Sequence, residues 1–420
     1  MSVLRCPGCG AERPPDVRVF ECACGELLEL DHGAVECSRE LFDVRRREVG
    51  SGLRSGVWRF REVVHPDLPE DETVRLGEGD TPLYDSAPLA RWCGLERIAI
   101  KHEGMNPSGS FKDRGMTVAV SHARRLGARR VACASTGNTA ASLASYAAAA
   151  GLQAVVLAPE DGTAAGKLSQ AIAYGARTLL VRGDFDAGMR LVRASAEELG
   201  LYLVNSINPF RLEGQKTIVL ELLQELGWRA PDWIVFPAGN LGNCAAFGKA
   251  LKEARARGWI DRMPRLAAVQ ARGASPFAAA FEGGFGELVP VRAETLATAI
   301  RIGDPVSYRR AVRAIQGTWG FVTSVTDAEI LAAKAAVDRA GLGAEPASCA
   351  AVAGARRLVE DGVLDPAARV VAVLTGHLLK DPDTTLRFHR GELPGAEPGD
   401  VNRTRSIDPE PGALREALAD

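Results

Sequence analysis

The chain lacks a long apolar run, an excess of either charge and a cysteine pattern suited to a disulfide framework. Its formal net charge is −2, so no general field draws in nucleic acid or an anionic membrane, and any anionic ligand must be held by local groups. The most apolar window, TAASLASYAAAAG (139–151), is short, alanine-rich and broken by serines. It reads as a buried helix rather than a membrane span. The opening MSVLRCPGCG holds no apolar segment of the secretory kind. The nine cysteines are odd in number, with four in the first 24 residues and the rest scattered, which argues against disulfide stapling. A cytoplasmic address is expected, with neither nucleic acid nor membrane as partner.

What is present is ordinary globular composition, 46% hydrophobic and 25% charged over 420 residues, enough for two or three compact units. From about residue 75 to 385, short β-branched runs alternate with Ala/Leu-rich helical patterns. The runs 96–103, 129–135, 152–159, 177–183, 201–207, 233–239, 265–271 and 369–376 read as strands. The stretches 116–127, 139–151, 166–175, 185–200 and 214–227 read as helices. Apolar runs without strict alternation, separated by helices, indicate parallel strands covered on both faces. The fold class is α/β with open, mostly parallel sheets. After Pro382 the chain turns charged and rich in Pro and Gly, as a frayed or surface-wrapping tail would.

Open α/β sheets bind ligands beyond the carboxyl ends of their strands, so the residues there are the ones to inspect. After ACA comes Ser135-Thr136-Gly137-Asn138-Thr139, either a helix cap or a loop of amide donors for an anion. After WIVFP comes Ala238-Gly239-Asn240-Leu241-Gly242-Asn243, either a strand-to-helix turn needing positive φ or a phosphate nest. It has neither the dinucleotide fingerprint nor the Walker Gly-Lys-Ser/Thr. After LYLV comes Asn205-Ser206-Ile207-Asn208-Pro209-Phe210-Arg211, a polar capping loop or a second anion site in which Arg forks onto two oxygens. After VVAVL comes Thr375-Gly376-His377. The stretch NPSGSFKDRG (106–115) supplies a lysine, Lys112, two residues beyond a Ser-Gly-Ser turn. Two anion-receiving loops, a hydroxyl and a desolvated lysine are what pyridoxal phosphate needs: an amine for its aldehyde and a cradle for its phosphate.

At these residues the chain resembles the threonine synthases, in the pyridoxal-phosphate group called fold type II. The resemblance runs from GEGDTPL (77–83) to GHLLKDP (376–382), about three quarters of the chain. NPSGSFKDRG and ASTGNTAAS are shared across the group, whereas VNSINPFRLEGQKT, ETLATAIRIGDP and the GH-LKDP element are more particular to threonine synthases. The resemblance implies that Lys112 forms the imine with the cofactor and is the catalytic residue. It gives Asn138 the cofactor's 3-hydroxyl, Gly239, Asn240, Leu241, Gly242 and Asn243 its phosphate, and Thr375 its pyridine nitrogen. Ser135, Thr136 and Thr139 would bind the amino-acid end of the substrate, and Thr139, Asn205, Ser206 and Arg211 its phosphate. The implied reaction converts O-phospho-L-homoserine and water to L-threonine and phosphate, in a homodimer. Leu378 stands where the family usually has glycine, and Cys349 where it usually has alanine. Both are expected to be packing adjustments, with Leu378 the one able to perturb the pocket.

Cys6-x2-Cys9 and Cys22-x-Cys24, on glycine-containing turns, suit a tetrahedral S4 zinc with a structural role; the alternatives are a metal-free knuckle or a redox-labile pair. The chain then divides into a zinc-ribbon-like knuckle (1–34), a large cofactor-binding α/β unit (35–100 with 206–385), a smaller α/β unit (101–205) and a tail (386–420). Two other enzymes of the same cofactor group fit less closely, a cysteate synthase and a serine/threonine dehydratase; a dehydratase has no need of Arg211. From a different class, a zinc-ribbon binding protein without activity would not need Lys112 and both phosphate loops.

Overall fold

The computed structural model describes residues 2–160, 165–182, 185–393 and 399–419. Among the described residues thirteen strands form three sheets. The first is a small antiparallel sheet of order β2-β1-β3, from β1 (Val3–Arg5), β2 (Glu12–Arg13) and β3 (Glu29–Asp31). The largest has six strands in the order β12-β11-β10-β13-β5-β4. Its members are β4 (Leu83–Asp85), β5 (Ile98–His102), β10 (Trp233–Pro237), β11 (Arg265–Ala271), β12 (Phe321–Val325) and β13 (Val370–Leu374). All its pairings are parallel except that of the edge strand β4. The third, entirely parallel, runs β8-β7-β6-β9, from β6 (Arg130–Ala134), β7 (Gln153–Pro159), β8 (Arg177–Val181) and β9 (Leu201–Leu203).

The central strands β10 and β13 are buried at every position, as continuous apolar runs between helical layers require. The expected 139–151 helix is buried along most of its length, and among the described residues no helix is long and apolar enough to cross a membrane. A boundary at residue 100 would fall inside β5, a strand of the six-stranded sheet.

Five helices position the strand-end loops: α1 (Lys112–Arg125), α2 (Asn138–Ala150), α3 (Pro209–Glu225), α4 (Gly242–Ala256) and α5 (Pro346–Glu360). Two start earlier than the sequence pattern suggests. α1 begins on Lys112 itself, four residues ahead of the expected 116. α3 begins at Pro209 rather than 214, because Pro fits the first helical turn and Asn208 caps it, its side chain accepting the Phe210 N–H at 3.0 Å. β9 ends at Leu203 because Asn205 turns back onto β6, bonding the Ala134 carbonyl at 3.1 Å and the Ala134 N–H at 3.3 Å.

α1 and α3 cross without side chains between them. A Cβ on Gly214 would lie 1.8 Å from the Arg114 carbonyl oxygen and 2.7 Å from Gly115 Cα, and one on Gly115 would lie 2.7 Å from the Arg211 carbonyl oxygen. Below the crossing, Glu221 of α3 is fully buried and accepts from Lys101 Nζ at 2.6 Å, Arg59 Nη2 at 2.7 Å and Arg114 Nη2 at 2.8 Å. It also accepts the backbone N–H of Asp80 at 2.7 Å and of Thr81 at 3.0 Å. Glu103 completes the cluster, receiving Arg114 Nε at 2.6 Å. Desolvated charges of this kind are tolerable only when paired and hydrogen-bonded throughout. The Asp-Arg that follows Lys112 is therefore scaffold: Asp113 accepts from Ser108, and Arg114 belongs to the ion cluster.

The tail lies on the surface, where Arg339 pairs with Asp400 at 2.8 Å and the Asn402 N–H reaches His389 Nδ1 at 3.1 Å. It also carries a short helix, Pro411–Ala417.

Gly214→Ala is expected to destabilise the protein by about 1–3 kcal/mol, the range for overpacking a filled contact. A lowered Tm in thermal unfolding checks it; an unchanged Tm would mean that the helices can part freely.

Candidate active site

Lys112 opens α1 and is half-buried, its Nζ 4.1 Å from the centre of the Phe111 ring. Desolvation, then the nearby Arg211 guanidinium, pull its pKa down to about 7, with Glu345 acting in the opposite sense. Near neutral pH a large fraction is free amine, which an ordinary surface lysine is not.

The loop carrying Lys112 is zipped to the end of β13. The Phe111 N–H donates to the Thr375 carbonyl at 3.0 Å, the His377 N–H donates to the Gly109 carbonyl at 2.9 Å, and Ser110 bridges Gly376. Thr375 is buried, its hydroxyl 2.9 Å from Ser348 Oγ of α5, and that oxygen also receives the Gly376 N–H at 2.8 Å. Asn138, the first residue of α2, turns its amide to Glu345, donating to the two carboxylate oxygens at 3.0 and 3.2 Å. Thus Lys112, Asn138 and Thr375, far apart in sequence, are linked through the loop before Lys112, Glu345 and the end of β13, the Glu345 N–H donating to the Gly376 carbonyl at 3.2 Å.

The anion-loop readings can be weighed against simple capping. Gly137 and Leu241 hold the cap positions of α2 and α4, and neither makes a capping bond. In α4 the Cys244 N–H is taken by Asn243 Oδ1 at 2.9 Å, which leaves the N–H groups of Gly242 and Asn243, and in α2 those of Asn138 and Thr139, as the donors that an anion site requires. Ser135 accepts the Gly137 N–H at 3.2 Å, and Thr136 and Thr139 flank it, half-buried. Leu241 adopts φ 62°, unusual without glycine, and so curls Gly239–Asn243. A Cβ on Gly239 would sit 3.0 Å from Ile300 Cα, so the loop packs tightly from behind. The Asn240 and Asn243 side chains are spent on this shape, bonding Ser206 Oγ at 2.9 Å and the Pro237 carbonyl at 2.7 Å. The loop offers backbone amides.

Arg211 is different. It is buried on α3, donates Nη1 to the Val204 carbonyl at 3.0 Å, and leaves Nε without a partner. Burial lowers its pKa to about 10, and the only opposing group is Cys133, a thiol. Among the described residues no carboxylate pairs with it. A desolvated guanidinium without a counter-ion suits an anionic ligand. Asn205, by contrast, spends its amide on Ala134, while Ser206 joins this loop to the Asn240 loop.

The residues fit pyridoxal phosphate: an amine freed by burial, an uncapped helix start for its phosphate, and a neutral hydroxyl and amide between them. The comparisons agree. A family model described as pyridoxal-phosphate dependent enzyme matches residues 74–376. The chain is 44% identical over 387 residues to the threonine synthase of Methanocaldococcus jannaschii, covering 91% of this chain and 94% of that one. It is 46% identical over 389 residues to that of Methanosarcina acetivorans, covering 91% and 93%.

The chain belongs to the threonine synthase family.

Solved structures agree on the fold. An L-serine ammonia-lyase from Rhizomucor miehei superposes with a TM-score of 0.63 at 24% identity, covering 71% of this chain and 94% of that one. Maize serine racemase gives 0.62 at 21%, covering 74% and 93%. Both departures from the family's pattern have a structural account. The Leu378 side chain covers Gly343, where an added Cβ would lie 3.3 Å from Leu378 Cβ. Cys349 is buried within α5, its thiol 3.9 Å from the Ala344 carbonyl.

Two residues escaped the sequence reading. Glu345 and Ser348 precede or open α5 and so do not follow a strand. The available signal was EPAS, an acid and a hydroxyl around a proline that starts a helix. Burial raises the Glu345 pKa, with Asn138 and Lys380 opposing.

Recombination of the cofactor-free protein with pyridoxal phosphate, followed by visible absorbance, is expected to speed up as pH rises through about 7, the pKa of Lys112. In Arg211→Leu the midpoint moves to higher pH, since removing a cation favours the ammonium form. An unmoved midpoint would discard Arg211 as a cause.

Proposed function

We propose that the protein converts O-phospho-L-homoserine and water to L-threonine and phosphate. The observation that carries this reading is the buried Arg211, without a carboxylate partner, close enough to Lys112 to lower its pKa. An enzyme acting on a free hydroxyl would have no use for that uncompensated cation, whereas a phosphate ester supplies its counter-charge.

Pyridoxal phosphate, when bound, would supply an aldehyde for lysine and an electron sink that acidifies carbons near the amino group. Backbone amides of Gly239, Asn240, Leu241, Gly242 and Asn243 would hold its phosphate at the start of α4. Asn138 would serve its 3-hydroxyl, and Thr375, oriented by Ser348, would offer its ring nitrogen a neutral hydroxyl. Ser135, Thr136 and Thr139, at the start of α2, take the substrate's carboxylate. Arg211, with Thr139, Asn205 and Ser206, takes its phosphate. Lys112 Nζ accepts the proton from Cα and moves protons along the carbon chain, because it is held beside the reacting atoms with a pKa matched to neutral pH. Loss of a Cβ proton lets the Cγ–O bond break and release phosphate; Cγ then takes a proton to become the methyl group, water adds its hydroxyl at Cβ, and Cα is reprotonated.

The small antiparallel sheet is read as a structural zinc site. Tight turns bring Cys6, Cys9, Cys22 and Cys24 together, with all four Sγ atoms within 4.8 Å of one another. Cys6–Cys24 and Cys9–Cys22 are 3.4 and 3.6 Å apart, near the S···S edge of about 3.8 Å that follows from a tetrahedral Zn–S bond of about 2.3 Å. The units assigned are the knuckle (1–34), a large unit that keeps β5, a smaller one ending near 205, and the tail, in a homodimer.

Phosphate release from O-phospho-L-homoserine by the purified protein is the deciding assay, run beside phosphoserine with sulfite and free threonine. Activity on either of the latter in preference would favour cysteate synthase or a dehydratase. Lys112→Ala is expected to abolish turnover and the visible absorbance. Arg211→Leu is expected to lower kcat/KM for the phosphorylated substrate by about 100-fold, as removal of one partner of a buried charge pair does. Metal analysis should find one zinc per chain in the wild type and none in Cys9→Ser; a metal-free wild type would overturn that part.

A further inference from the structure

The knuckle does more than sit on the surface. It and the segment after it reach the start of α3 at two points, one through His122 of α1 and one directly at Glu213. Near its tip, the Pro15 carbonyl accepts from His122 Nε2 at 3.0 Å. That bond fixes the tautomer, so His122 Nδ1 accepts from His65 Nε2–H at 3.0 Å. The His122 ring is stacked on Phe210, with centroids 3.6 Å apart and planes 17° from parallel. Phe20 of the knuckle packs edge-on against Tyr202, 5.7 Å away, just before this turn.

The second grip lies beyond β3. His32, buried, takes the Ser2 hydroxyl on Nδ1 at 2.9 Å and donates Nε2–H to Glu213 at 3.0 Å. Glu213 is also paired with Lys216 and Lys249, and Lys249 donates in addition to the Leu30 carbonyl. Burial opposes ionisation of Glu213, but these two ammonium groups and His32 outweigh it and hold the carboxyl well below its usual range.

Phe210 and Glu213 are three residues apart and share one face of α3, while Arg211 is turned about 100° from Phe210. The N-terminal segment thus clamps one side of a turn whose adjoining side presents the guanidinium. We propose that the N-terminal module is a positioning element for Arg211, and that its grip on Phe210 and Glu213 sets the affinity of the site for phosphate. This rests on the reading of Arg211 as the ligand of the substrate phosphate. His32 and His122 act through Arg211 and touch no substrate.

The test uses the full-length holoenzyme and three variants: Cys9→Ser, which removes a knuckle thiolate; His32→Ala, which removes the Glu213 contact; and His32→Gln, whose amide can still donate. Three quantities are measured: bound cofactor by visible absorbance, the dissociation constant of inorganic phosphate, and KM and kcat for O-phospho-L-homoserine. Cys9→Ser and His32→Ala are expected to raise the phosphate constant and KM together by about tenfold, a typical coupling between two sites. Bound cofactor stays unchanged and kcat stays within about twofold, and His32→Gln restores the affinity. Phosphate affinity unchanged in His32→Ala overturns the proposal. So does loss of cofactor in parallel with phosphate, which would make the module a general stabiliser. If Cys9→Ser does not fold, the His32 pair decides alone. Arg211→Leu in the same assay separates the two readings: if it leaves the phosphate constant unchanged, the phosphate assignment itself is wrong.

Discussion

The active site depends on two helices crossing with nothing but glycine between them. Gly115 and Gly214 let α1 and α3 approach until backbone meets backbone, and that brings together the two helix starts bearing Lys112 and Arg211. A cation beside a desolvated lysine makes its ammonium form still less favourable. The packing contact therefore adds to desolvation, the larger effect, in lowering the pKa of Lys112. Glu221 and Glu103 lie on the other side of the crossing and absorb the charges of Arg59, Lys101 and Arg114. Among the described residues Arg211 pairs with no carboxylate, and that difference separates it from Arg59 and Arg114.

The two anion-binding places proposed are built from different materials. At the start of α4 the donors are backbone amides on a tightly curled loop. Amides do not titrate and do not move, which suits a cofactor that stays. Near Arg211 the donor is a side chain with an unmet charge, which suits a group that arrives and departs each turnover. Ser206 and Asn240 tie the two loops together.

Much of this was legible in the sequence because topology limits where ligands go. Once parallel strands were recognised, the loops after β6, β9, β10 and β13 were the places to look, and the lysine loop stood out by its small residues. Arg211 stood out in the sequence, but its setting did not: Asn208-Pro209 is a helix start, so Arg211 stands on a helical turn instead of a loop. Glu345 was missed because it precedes a helix and follows no strand. The Glu221 cluster was missed for a deeper reason. Its members lie between residues 59 and 221 on five separate elements, and ion pairs at that separation leave no periodicity or motif. The hold of the N-terminal segment on α3 was equally hidden, since its contacts pair Pro15 with His122 and His32 with Glu213.

The zipper between Ser110 and Gly376 also bears on how the molecule comes into being. Its partners are separated by most of the chain, and closing so long a loop is entropically costly until the intervening sheet exists. During synthesis the reactive lysine emerges early and must wait for the last strand of the large sheet before its loop is tied down. Until then the aldehyde of a passing cofactor meets a lysine that is solvated, largely protonated and slow to react. The lysine thus acquires its chemistry only once β13 has been made.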